Sequence, residues 1–301
     1  MNEIISLNNV TKSYGDKTVV DIKNLHIQKN SVYGLIGPNG AGKSTTMKMI
    51  CGLTSPSSGT ISIGGEIFSN KNRYQVLKHI GSLIESPAYY DNLSGYDNLK
   101  IVKEYKGLKE SDIAQALDIV GLTKHKDKQV KNYSLGMKQR IGIATALIGF
   151  PEIIILDEPT NGLDPQAMAD MRGIISSLVK DYNSTVLISS HILDEIEKIA
   201  DSISIIGQGK ILYQGTITNF KNTHQSDISL KTSNNIRASQ ILSDFNAKLL
   251  PDSVRLPFIE NEALEVVLDC LYQNKIYPYR ITEDKKSLED IFLDFTKSEH
   301  L

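Results

Sequence analysis

The sequence predicts an α/β fold with an all-helical insertion and a small second α/β unit at its C-terminal end. Three observations carry that expectation. Short aliphatic runs alternate with longer helical patterns up to about residue 215. The span from Gly95 to about Phe150 carries several helical patterns and no strand-like run. Beyond Gly215 the texture turns polar, at "ITNFKNTHQSD", which reads as a linker before a second alternating set begins. The expected boundaries are 1–215 for the main domain, with its insertion at about 95–150, and 216–301 for an accessory α/β domain.

Taken in order, Ile4 to Val10 and Val32 to Ile36 are aliphatic and read as strands, and Lys43 to Cys51 reads as a helix. Ile61 to Ile63 and Ile80 to Ile84 are further strands. The second of these stops at Glu85, and Pro87 marks a loop after it. Ile153 to Leu156 and Thr185 to Ser189 are strands separated by a helix over Gln166 to Tyr182. Helix Ile192 to Ala200 and strand Ile203 to Ile206 follow, and "GQGKI" is a hairpin turn into Leu212. The second unit reads as strand Ile228 to Lys231, helix Ile236 to Asn246, a strand near Val254 to Phe258, helix Glu262 to Asn274, strand Tyr277 to Ile281 and helix Ser287 to Lys297.

Composition excludes several classes. Basic residues number 33 against 35 acidic ones, a net charge of −2, so nothing favours a nucleic-acid polyanion as partner. Cys51 and Cys270 lie far apart without metal-ligand spacing, which fits a reducing, cytoplasmic compartment. The opening "MNEIISLNNV" lacks the basic-then-apolar pattern of a secretion signal. The longest aliphatic runs, such as Ile153 to Leu156, fall far short of the ~20 residues of a membrane span.

Chemistry concentrates in a few motifs. In "GLIGPNGAGKST", Gly37, Gly42, Lys43 and Ser44 match G-x-x-x-x-G-K-[ST] between a strand and a helix. Glycines let backbone N–H groups fold round a phosphate, and the helix start turns its positive dipole end to the same anion. Lys43 then reaches the β- and γ-phosphates, and the Ser44 hydroxyl is a hard oxygen ligand suited to Mg²⁺. In "EIIILDEPT" a buried strand ends in two acids. Asp157 there suits Mg²⁺, mostly through water, and Glu158 suits positioning and polarising an attacking water. His191, after the strand "TVLISS", sits at the same edge and is able to hydrogen-bond a γ-phosphate or that water.

Ser134 and Gly136 in "YSLGMKQR" open another helix, which is either a simple cap or a second anion site. One chain has no need of two such sites for one γ-phosphate, whereas two chains facing head to tail would each complete the other's. Asp164 in "NGLDP" follows the two acids closely and is placed for contact across such an interface, and Tyr14 suits either adenine stacking or an ordinary surface position.

In this order, Tyr14, the glycine-rich loop, "YSLGMKQR", "ILDEPTNGLDP" and "SSHILDEIEKIAD" resemble the ATPase subunit of ABC transporters, over about residues 3–215. The resemblance implies a P-loop NTPase core with an N-terminal antiparallel β part, binding ATP and Mg²⁺. It implies nucleotide contacts from Tyr14, from the loop Gly37, Pro38, Asn39, Gly40, Ala41, Gly42, Lys43, Ser44 and Thr45, and, from a facing copy, Ser134, Gly136 and Asp164. Glu158 and His191 would be the catalytic pair, His191 as the switch histidine. The pattern L-S-G-G-Q is only partly kept, with Leu135 and Met137 in place of its first glycine and its glutamine. The family also has a Gln that contacts Mg²⁺ and water at the position held here by Glu85, so the expected metal set is Ser44, Asp157 and Glu85.

That exchange, the signature "SLGMKQR" and the C-terminal extension are similar to a bacterial branch linked to bacitracin resistance and lantibiotic self-immunity. The expectation is an ATP-hydrolysing exporter subunit, dimeric with composite ATP sites, peripheral on the inner face of the cell membrane and paired with a separate integral-membrane permease. Loop 85–95, with Tyr89 and Tyr90, is the candidate docking surface, or those tyrosines serve ordinary packing. Rival readings are another multidrug-type exporter ATPase, a soluble ABC protein acting on nucleic acid or ribosomes, and a binding-only regulator. The sequence has neither a second ATPase copy nor a long coiled coil nor a basic stripe, which argues against the second. Intact Glu158 and His191 argue against the third.

Overall fold

Two long strands begin the chain. β1 (Glu3–Tyr14) and β2 (Lys17–Gln28) pair antiparallel, closing at Tyr14 and Lys17. The computed structural model describes residues 3–222 and 227–284. β2 corrects the sequence reading, which assigns no element to those residues. Its buried side chains are Val20 and Ile22, then Leu25 and Ile27, so the alternation slips by one residue at mid-strand and the period of two is lost.

β3 (Val32–Ile36) is buried along its whole length, and α1 (Lys43–Ile50) follows it. β4 (Ser58–Ile63) and β5 (Glu66–Ile67) join the first hairpin in an antiparallel sheet of order β2-β1-β4-β5. α2 (Arg73–Leu77) leads into β6 (Ile80–Leu83). The insertion is helical, with α3 (Gly95–Lys106), α4 (Glu110–Ile119) and α5 (Leu135–Leu147). Ser94 caps α3, accepting from Asp97 N, and Gly107 ends it at φ 68°.

β7 (Ile153–Asp157), α6 (Pro165–Lys180) and β8 (Thr185–Ser190) follow, both strands fully buried. α7 (Leu193–Glu197) is shorter than expected, because Ile199 N bonds back to Ile196 O in a tightened turn and the chain must enter the next strand. β9 (Ser202–Gly207) and β10 (Lys210–Thr216) form the expected hairpin, with Gln208 at φ 46° and Gly209 at φ 81°, as a two-residue turn of this hand requires. The second sheet runs β10-β9-β3-β8-β7-β6, parallel except for β10. Aliphatic side chains from both sheets and from α1 share one core, among them Leu7, Ile22, Leu35, Met47, Ile155 and Leu187.

The first compact unit extends to Ile217 and the second begins at Thr218. Part of the expected linker is helical, as α8 (Ile217–Asn222). β11 (Asp227–Thr232), α9 (Asn235–Ile241), β12 (Lys248–Leu249), β13 (Val254–Leu256), α10 (Asn261–Gln273) and β14 (Pro278–Asp284) make a βαββαβ unit. Its sheet has the order β12-β13-β11-β14 with every neighbour antiparallel, the split-βαβ arrangement. Leu230, Val254, Leu256, Val267 and Leu271 fill its core. α9 stops earlier than expected, in a short turn at Ser243–Phe245 closed by Asn246 at φ 55°. The expected helix Ser287 to Lys297 lies outside the described residues.

Candidate active site

Four neighbouring strands, β3, β8, β7 and β6, deliver their C-terminal ends to one edge of the parallel sheet. Apart from the exposed Ser82 of β6 these strands are buried, and the first charged groups stand where each chain leaves the sheet. The exits carry, in spatial order, the glycine-rich loop, His191, Asp157 with Glu158, and Glu85.

The loop after β3 tolerates little but glycine at its two ends. A Cβ on Gly37 would lie 2.2 Å from Ile206 O, and one on Gly42 would lie 3.0 Å from Val19 O with φ at 107°. Gly209 N donates to Ala41 O at 2.9 Å, and Asp21 N donates to Gly209 O at 2.8 Å. The unanticipated β2 and the β9–β10 turn thus wall the loop from outside. α1 begins at Lys43 with no side-chain cap on its first N–H groups, which leaves them for an anion. Lys43 is buried, and its Nζ donates to Gly37 O at 2.7 Å and to Pro38 O at 3.2 Å. Ser44 and Thr45 are half-buried in the first turn of α1, and Pro38, Asn39 and Gly40 are exposed.

Glu158 links the loop to His191. Its Oε1 lies 3.5 Å from Lys43 Nζ, and its Oε2 lies 2.8 Å from His191 Nδ1. Its backbone is held at φ 47°, a conformation that costs a non-glycine residue about 1 kcal/mol. Ser189 supports both acids. Its Oγ donates to the buried Asp157 Oδ1 at 2.5 Å and accepts from Glu158 N at 2.9 Å. The parallel register pairs Asp157 with Ser189 directly.

Glu85 stands at the outer end of this row, exposed and at φ 65°. Its Oε1 accepts from Lys48 Nζ on α1. That bond raises the Lys48 pKa above its usual value against a smaller opposing effect of burial, and the charges of Glu85, Tyr14 and Asp157 add to the rise. Tyr14 is exposed at the end of β1, with Lys12 Nζ 4.9 Å from its ring centre.

Ser134, Gly136 and Asp164 gather elsewhere. Ser134 Oγ caps α5 by accepting from Met137 N at 3.3 Å, and Asp164 caps α6 by accepting from Ala167 N at 2.8 Å. All three line one open cleft of about 480 Å³ that contains none of the glycine-rich loop. Gly136 faces the Ala167 and Leu163 side chains, and Leu135 projects outward beside it.

These groups fit a Mg²⁺–nucleotide. The loop offers bare N–H groups and a lysine now satisfied by carbonyls, while Ser44 and Asp157 offer hard oxygens. Among the described residues no three His, Cys, Asp or Glu side chains form a metal cluster. Sequence reasoning passes over Ser189 and Lys48. Ser189 was discoverable as the first of the two serines that close the strand preceding His191. Lys48 carries no local signal, because its partner is a loop 37 residues away.

Comparison with known proteins gives a consistent result. Residues 20–161 match the family model described as ABC transporter. The chain is 40% identical over 298 residues to the bacitracin transport ATP-binding protein BcrA of Bacillus licheniformis, covering 97% of each chain. It is 49% identical over 211 residues to the lantibiotic transport ATP-binding protein SrtF of Streptococcus pyogenes, covering 70% of this chain and 90% of that one. A solved ATP-binding subunit of an ABC transporter superposes with a TM-score of 0.66 at 28% identity, over 73% of this chain and 93% of that one.

Proposed function

Because the chain belongs to the ABC transporter family, as an ATP-binding subunit that hydrolyses ATP, we propose that it powers a separate membrane permease that exports a peptide antibiotic of the bacitracin or lantibiotic type. The observation that carries this reading is the unbroken row of contacts from the glycine-rich loop through Lys43 and Glu158 to His191. The similarity to BcrA along nearly the whole chain supports the antibiotic class.

Lys43 leaves its carbonyl partners to bind the β- and γ-phosphates of ATP, and the first N–H groups of α1 hold the same anion. Ser44, Asp157 and Glu85 would hold Mg²⁺, which would supply positive charge against the phosphates. Glu158 accepts a proton from the attacking water, and His191 orients Glu158 and contacts the γ-phosphate. Tyr14 stacks on the adenine. Ser134, Gly136 and Asp164 serve a facing second copy, which explains why they share a cleft apart from the loop. ABC exporters work as dimers on permeases, and no helix among the described residues is long and apolar enough to cross a membrane. The chain therefore sits on the inner face of the membrane through its permease. The loop after Glu85 is the docking surface, with Tyr90 exposed and its backbone fastened to Asn98 at 2.7 Å and 3.1 Å.

Cells expressing the chain with its permease should survive higher concentrations of bacitracin- or lantibiotic-type peptides, and Glu158→Gln should remove that protection. Protection that persists without hydrolysis would refute energised export. Hydrolysis without protection by any such peptide would refute the substrate class alone.

A further inference from the structure

A carboxylate at position 85 faces a charge problem. Asp157, Glu158 and a triphosphate already load the same sheet edge with negative charge. The ammonium of Lys48 meets that problem from α1. Met47, Met49 and Ile50 are completely buried on that helix, so Lys48 is carried on a rigid support continuous with Lys43 and Ser44. Glu85 has no such support, being exposed on a loop in the left-handed conformation. The other side of that loop abuts the insertion, since a Cβ on Gly142 of α5 would come within 2.6 Å of Pro87 Cβ. α5 is the helix that Ser134 caps.

We propose that Lys48 is the positioning residue for Glu85. It offsets the carboxylate's charge, aims it along the rim of the nucleotide site, and ties the P-loop helix to the loop that leans on α5. The pair is too exposed to matter for global stability, as ion pairs of this kind contribute little to folding. Its effect lies in where the loop sits and in how tightly the loop follows the phosphate-binding helix. This inference rests on Glu85 belonging to the nucleotide rim.

A double-mutant cycle tests it in the nucleotide-free protein, by hydrogen exchange of residues 84–94. Lys48→Gln should speed exchange there by about two- to fivefold, the population change that corresponds to losing one exposed ion pair. The same substitution in a Glu85→Gln background should change exchange by less, and Lys48→Arg should restore protection. The midpoint of thermal unfolding should stay in place throughout. In parallel, Lys48→Gln should lower ATP turnover more when Glu85 is present than in the Glu85→Gln background. Equal effects in both backgrounds, in exchange and in turnover, would overturn the positioning role. Wild-type turnover that Lys43→Ala does not diminish would instead refute the nucleotide-site reading, so the two failures are distinguishable.

Discussion

Ser189→Ala is the sharpest test of how the catalytic edge is held. The side chain is buried completely and makes two bonds, one to the charged Asp157 carboxylate at 2.5 Å and one from Glu158 N at 2.9 Å. A hydrogen bond to a charged group is worth about 1.5–3 kcal/mol and a neutral one about 1 kcal/mol, so removing the oxygen should cost about 2.5–4 kcal/mol. Ser190→Ala supplies the control. Its Oγ is also buried but bonds only backbone groups of Ile192, at 2.9 Å and 3.2 Å, so losing these two neutral bonds should cost at most about 2 kcal/mol. Urea unfolding at neutral pH, followed by circular dichroism because the chain has no tryptophan, measures both. Turnover should fall about tenfold to a hundredfold in Ser189→Ala, because Asp157 and the strained Glu158 lose their common support. Equal and small losses in the two variants, with unchanged turnover, would refute the view that Ser189 organises the two acids.

Other outcomes follow from the same geometry. Glu158→Gln should slow hydrolysis by about 10²–10⁴-fold while leaving ATP bound, and size-exclusion chromatography with ATP should then trap dimers. Unchanged turnover would remove Glu158 from catalysis. Ser134→Ala should weaken that ATP-dependent dimerisation while leaving ATP binding to the single chain intact, since Ser134 lies outside the P-loop cleft; equal loss of binding would contradict a role in a facing copy. Gly37→Ala should fail to fold around the loop, as its Cβ would meet Ile206 O at 2.2 Å, and a soluble, ATP-binding variant would contradict that packing. Burial pushes the Cys51 thiol from 9.0 up to about 12, so the folded state holds the proton that the unfolded chain releases. That contribution to stability is complete below pH 9.0 and is lost as pH rises toward about 12. Maleimide should therefore leave Cys51 unlabelled at pH 8 until denaturant is added, and rapid native labelling would contradict the burial.

Much of this protein was legible without coordinates, because its chemistry is written in residue type and short spacing. The loop Gly37 to Thr45 needs glycine where backbone closes in, and the close contacts at Gly37 and Gly42 are the physical form of that need. Asp157 and Glu158 follow a strand whose aliphatic run announces burial on both faces. The β9–β10 hairpin is likewise local, its turn set by two residues at positive φ. β2 was not legible, because its apolar residues change faces at mid-strand and the stretch owes its conformation to pairing with β1. The antiparallel order of the second unit was equally hidden behind a plain alternation of strands and helices.

By itself, then, the sequence determined which groups are available: a phosphate loop, two acids, a histidine, a helix-capping serine and an unusual glutamate. Only the tertiary structure decided their company. The strands that carry the site follow one another as β3, β6, β7 and β8 along the chain but lie side by side as β3, β8, β7 and β6. That order puts His191 between the loop and the acids, sets Ser189 against Asp157, and leaves Glu85 at the rim within reach of Lys48. Parallel strand neighbours are chosen by long-range packing of buried faces, and no local periodicity encodes that choice.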